Sequence, residues 1–137
     1  MERPRWHRSI LVTDGDAWMR RELASTLEPE GFSVFEASAG CEAVEVVRSS
    51  VVDILILNML LPDVDGVNTL KLIRRVARPL PCIFIGEHLS KEMRIEALEA
   101  DAFAVLEVSS RREAFRPQVL RDTVWRVVHR YYGPPAM

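Results

Sequence analysis

Short apolar runs alternate along the chain with stretches whose apolar residues recur at helical spacing. The first run, Ser9-Ile10-Leu11-Val12-Thr13, stops at Asp14-Gly15-Asp16. Asp16 is placed to cap a helix reaching about Leu27, because its carboxylate can accept from free backbone N–H groups. Met19, Leu23 and Leu27 make that helix's core stripe, and Trp18 falls off it with Glu22 and Ser25. Pro29 and Gly31 end the element. Phe32 to Glu36 alternates as a second strand, and Ser38-Ala39-Gly40 opens a helix that buries Ala43, Val46 and Val47.

The central run, Ile54 to Leu57, stops at the polar Asn58, and a loop closed by Pro62 and Asp65-Gly66 follows. A short branched run bounded by turn residues reads as a strand buried on both faces, as inside a parallel sheet. The spacing then predicts a helix from Val67 to about Val76 with Leu70 and Ile73 inward. Cys82-Ile83-Phe84-Ile85 is a fourth buried strand ending at Gly86. Ser90 caps a helix whose Ile95 and Leu98 face in, and Phe103 to Leu106 is a fifth strand. Pro117 suits the first turn of a last helix, where its missing N–H would be unpaired anyway. Leu120, Val124, Val127 and Tyr131 form that helix's core stripe. Strand and helix thus alternate throughout, which specifies an α/β domain, a parallel sheet with helices on both faces. The domain is expected at residues 9–132, between a flexible tail at 1–8 and a short tail at 133–137.

Composition narrows the class of protein. The chain has 137 residues, 48% hydrophobic and 28% charged, enough for one real core. Its formal net charge is −2, so no global field favours nucleic acid. No apolar run approaches the roughly 20 residues of a membrane span, and a cytoplasmic protein is expected. Cys41 and Cys82 lie in apolar contexts without metal spacing and read as buried thiols.

In open parallel sheets chemistry collects beyond the carboxyl ends of the strands, which draws attention to Asn58. The chain around it resembles the receiver domain of two-component response regulators, over about residues 9 to 132. The strongest stretch is Asp53 to Gly66. Ile10 to Asp14 is similar to the family's first strand, and Gly86 to Ala102 to its fourth-strand and fourth-helix segment. The resemblance implies a flavodoxin-like, doubly wound five-stranded sheet in the order 2-1-3-4-5 with five flanking helices. It also implies a phosphorylation chemistry. An aspartate ending the third strand attacks phosphorus, two acids after the first strand help hold Mg²⁺, a Thr or Ser bonds the phosphoryl group, and a Lys neutralises it.

This chain departs from that set at each point. The acceptor position is Asn58, whose amide is a poor nucleophile and carries no charge. The acidic pair is Asp14-Gly15, with Asp16 one residue late. Gly86 stands at the hydroxyl position, followed by Glu87; Val108 stands at the Lys position, Ser109 at the following Pro, and Val105 at the family's fifth-strand aromatic. With about 10²–10⁴-fold typically lost per acid–base or electrostatic contributor, several losses together abolish practical activity. The expectation is therefore a pseudo-receiver that is not an enzyme, with a vestigial site at Asp14, Gly15, Asn58, Gly86 and Val108, no cofactor and no metal. Its function is then phosphorylation-independent protein–protein interaction in two-component (phosphorelay) signalling. Two other readings stay open: phosphorylation on a substitute acid such as Asp16 or Asp63, and a pocket repurposed for a small ligand in the space left by Gly15 and Gly86.

Partner surfaces follow from apolar residues off the core stripes. Trp18 either packs over adjoining loop atoms or anchors a partner. Trp125, Val128 and Tyr132 form a second stripe on the last helix, which suggests an interface with a signalling protein or a second copy. Arg111, Arg112, Arg116, Arg121, Arg126 and Arg130 make this end basic, which reads as a solvated face, then as a site for an acidic protein. No output domain is expected in this chain.

Overall fold

The computed structural model describes residues 7–108 and 116–133. Five parallel strands, β1 (Ser9–Thr13), β2 (Ser33–Ala37), β3 (Ile54–Asn58), β4 (Cys82–Gly86) and β5 (Ala104–Glu107), lie in the order β2-β1-β3-β4-β5. Five helices, α1 (Ala17–Leu27), α2 (Gly40–Ser49), α3 (Gly66–Val76), α4 (Lys91–Glu99) and α5 (Pro117–Tyr132), connect and follow them. This is the doubly wound arrangement expected from the sequence.

Side-chain alternation divides the core into two layers. Ile10, Val12, Ile54, Ile56, Ile83 and Ile85 face α1 and α5, and Leu11, Leu55, Leu57, Cys82 and Phe84 face α2, α3 and α4. The strand residues Ile54 to Leu57 are all fully buried. Each such side chain contributes roughly 1.5–3 kcal/mol by leaving water, so this strand anchors both layers. The caps stand where the sequence puts them: Asp16 accepts from Trp18 N, and Ser90 from Met93 N.

Three expectations about burial are corrected. On α4, Ile95 and Leu98 are 44% and 62% exposed, because the helix turns Met93, Ala97 and Ala100 to the core instead. Those positions are themselves spaced i, i+4, i+7, so they lie on one face of the helix. Tyr131 is half exposed and meets Phe103 edge-on at 6.1 Å, in the last turn of α5. Cys41 is exposed at the start of α2, while Cys82 is buried as expected.

The second stripe of α5 is covered from within the chain. Val128 is buried, and the Trp125 ring lies 5.0 Å from Phe32 while its Nε1 donates to Glu30 at 2.9 Å. Tyr132 donates its hydroxyl to the Asp53 carbonyl, with the Arg8 guanidinium 4.7 Å from its ring centroid. A wide apolar arc on α5 is needed because the helix packs against α1 and the following turn as well as the sheet. Internal packing thus takes up Val128 wholly and Trp125 and Tyr132 in part, of the three residues expected to form an interface. Of the expected tails, 1–6 and 134–137 lie outside the described residues, as do Arg111 and Arg112. His7 and Arg8 are held: His7 Nε2 is 2.6 Å from Ser33 Oγ, and Arg8 sits over Tyr132.

Candidate functional site

β1 and β3 are neighbours in parallel register, Thr13 beside Leu57. The residues just beyond, Asp14 and Asn58, are thereby brought side by side at the carboxyl edge of the sheet. Asn58 Nδ2 donates to Asp14 Oδ2 at 2.9 Å, and Asn58 Oδ1 accepts from Leu60 N at 2.9 Å. The two contacts fix the amide's orientation, since a flipped amide would set oxygen against oxygen and N–H against N–H. Asp14 Oδ1 accepts from Asp16 N at 2.8 Å, so both carboxylate oxygens are engaged.

Asp14 is only 4% exposed. Burial raises its carboxyl above the usual value of 3.8, opposed by the donors from Asn58 and from the Asp16 backbone. Arg20 gives this carboxylate no direct bond; its Nη1 donates to the Asp14 backbone carbonyl at 2.7 Å, and its Nε pairs with Glu36 at 3.5 Å. Asp16 spends one carboxylate oxygen on the first turn of α1.

The remaining site positions are filled in different ways. Gly15 is exposed, and a Cβ there would meet Pro62 at an ordinary 3.5 Å, so packing does not forbid an acid. At Gly86 a Cβ would stand 2.6 Å from Leu89 Cδ2, because Leu89 already occupies that volume. Val108 is half-buried and donates its N–H to the Gly86 carbonyl at 2.9 Å. Asp14, Asp16, Met19, Asn58, Leu60, Glu87 and Val108 line an open cleft of about 230 Å³. Trp18 is half-buried against the cluster shared by α1 and α5, and its backbone N–H donates to Asp16, which lines the cleft.

The loop after β3 is held by local chemistry. Asp63 accepts from Gly40 N at 2.7 Å and Cys41 N at 2.9 Å, and these donors hold its carboxyl far below the usual range. It caps α2, whose own N-cap position, Ala39, has no side chain able to do so. Asp65 caps α3 through Asn68 N at 2.8 Å. A Cβ at Gly66 would run into the Asn58 carbonyl oxygen, so this turn needs glycine for close approach. Sequence reasoning missed the role of Asp63, for which an uncapped α2 was the available signal. It also missed Leu89, a bulky apolar residue three places beyond a strand-ending glycine.

A Mg²⁺ ion needs several oxygen ligands with charge, and the residues here do not fit it. Asp14 has both oxygens engaged, Asp16 caps a helix, and Gly15 brings no side-chain ligand. Among the described residues no group of three or more His, Cys, Asp or Glu is placed to hold a metal.

The family model for the response regulator receiver domain matches residues 10–119. The chain belongs to that family, whose members are signalling domains of two-component systems. Response regulator MprA of Mycobacterium avium (strain 104) is 31% identical over 112 residues, covering 77% of this chain and 49% of that protein. The chain spans about half the length of the relatives it matches. A two-component response regulator from Clostridium difficile superposes with a TM-score of 0.81 at 25% identity, covering 91% of this chain and 98% of that one. A CheY-like receiver domain protein from Methanospirillum hungatei JF-1 shares the fold, with a TM-score of 0.80 at 20% identity over 90% and 94% of the two chains. No helix among the described residues is long and apolar enough to cross a membrane.

Proposed function

We propose that this chain is a degenerate receiver domain that signals without being phosphorylated, through protein–protein contacts in a two-component pathway. The observation that carries the reading is the bond from the Asn58 amide to Asp14. A receiver's acceptor must be a carboxylate free to attack phosphorus beside a cation. The group here is a neutral amide, and the acid beside it is buried with each oxygen already taking a hydrogen bond. The Asn58 donor stabilises the Asp14 charge that a metal would otherwise offset. A cytoplasmic location and a partner that recognises a fixed shape go with this reading.

Among substitute acids, Asp63 is committed to the start of α2 and Asp16 to the start of α1. The cleft, at about 230 Å³, is smaller than the 300–1,000 Å³ usual for ligand sites, which argues against a repurposed pocket. The test is incubation with a small-molecule phosphodonor and Mg²⁺, followed by intact mass and peptide mapping. An unchanged mass is expected; a stoichiometric phosphate adduct on any residue overturns the proposal.

A further inference from the structure

Beyond the cleft, the loop between β4 and α4 is bound to three separate elements. β4 ends on buried Gly86, and Leu89 folds back over it, only 9% exposed, in the cluster that holds Met59, Phe84 and Ala97. The volume that a side chain at position 86 would take belongs to Leu89, with Met59 Cβ next at 3.7 Å. His88, just before it, has φ of 49°, a left-handed conformation that a non-glycine residue keeps only when its surroundings impose it. Polar contacts hold the residue that follows it. Leu89 N donates to Glu107 Oε1 at 3.0 Å, and Arg94 Nη2 lies 3.6 Å from the same oxygen. Glu107 ends β5 and Arg94 lies on α4, so one carboxylate ties the loop to both.

We infer that Gly86, Leu89 and Glu107 form a built-in latch, which holds the β4–α4 loop and the adjoining ends of α4 and β5 in one arrangement without any bound group. Leu89 is the plug, Gly86 is the hollow made for it, and Glu107 with Arg94 is the clamp. The inference deepens the proposed function and rests on it in one respect: a domain that takes no phosphoryl group must hold this region by its own side chains. The latch itself is a statement about packing and is tested separately.

Residue-level amide hydrogen exchange on the full chain reads it. Leu89→Ala is expected to speed exchange at residues 87–94 and 107–108 by roughly tenfold or more, with the central amides of β1 and β3 little changed. Gly86→Thr is expected to loosen the same amides, by expelling Leu89. The decisive variant is the double one, Gly86→Thr with Leu89→Ala, where the new side chain fills the vacated volume and most of the protection returns. A double variant as exposed as the two single effects multiplied together overturns the pairing, as does a Leu89→Ala effect spread evenly over the chain. Glu107→Ala is expected to speed exchange of the Leu89 amide, and no change there removes the clamp. If Leu89→Ala does not fold, Leu89→Val applies the same test with a smaller cavity. A phosphate adduct together with an intact latch would overturn the proposed function alone, and a clean mass with a failed double variant would overturn the latch alone.

Discussion

The two ends of strand β3 carry similar polar side chains in opposite circumstances. Before its first residue, Asp53 is buried and ionisable, and it serves only structure. Its Oδ2 accepts from Ser9 N at 2.8 Å, its Oδ1 lies 3.4 Å from Arg78, and its backbone carbonyl takes the Tyr132 hydroxyl. At its last residue, Asn58 has no charge and is bonded to Asp14 and to Leu60 N. A charge stands where it ties the start of β1 to Arg78, and a neutral amide stands at the other end of the same strand. Burying a carboxylate is tolerable when donors surround it, and the amino end supplies such donors. The carboxyl end holds one buried acid already and gives it a neutral amide.

The strongest test of this contrast removes the structural carboxylate. Asp53→Ala strands a buried Ser9 N–H and removes the carboxylate beside Arg78, and is expected to cost about 2–3 kcal/mol. A urea midpoint shifted at constant slope measures it; a loss well under 1 kcal/mol would mean that the amino end is no better satisfied than the carboxyl end.

Next comes restoring the acid at the carboxyl end. Asn58→Asp sets a second carboxylate beside Asp14 and deletes the donor that now stabilises its charge, so a loss of about 1–2 kcal/mol is expected at neutral pH. The sign with pH follows from the direction of the shift. A carboxyl raised in the folded state holds its proton longer there than in the unfolded chain. Its favourable contribution is therefore complete in acid, and is lost as pH rises from the unfolded value through the raised folded one. Asp14 gives the parent a dependence of this sign, and the variant's should be steeper. Denaturation curves from about pH 4 to pH 8 check it, and parallel curves for parent and variant would refute the coupling.

The smallest expected effect is at Thr13, beside Leu57 in the register between the two ends. Its hydroxyl is fully buried and, in the structure, without a hydrogen-bond partner. Thr13→Val should therefore gain about 1 kcal/mol. A loss would show that the hydroxyl is bonded after all, and that this end of the sheet spends more polar contacts than Asp14 and Asn58 reveal.

Much of this was legible in the residues. Strand and helix order, the caps at Asp16 and Ser90, and an amide in place of a carboxylate at position 58 depend on local spacing or on single side chains, so the chain alone determined them. The family resemblance supplied the strand order. Tertiary structure decided which of several apolar arcs is covered. On α4 the small Ala97 faces inward while Ile95 and Leu98 do not, and on α5 the arc read as a partner surface lies on Phe32, Glu30 and Asp53. Spacing gives a helix its faces but says nothing of how many neighbours it has, and α5 has both the sheet and α1. The same holds at the site. That position 58 is an amide is a matter of sequence. That its N–H₂ is aimed at Asp14, that Asp63 is occupied at α2, and that Leu89 fills the hollow at Gly86 depend on contacts between residues far apart or on a loop's path, which only the folded chain fixes.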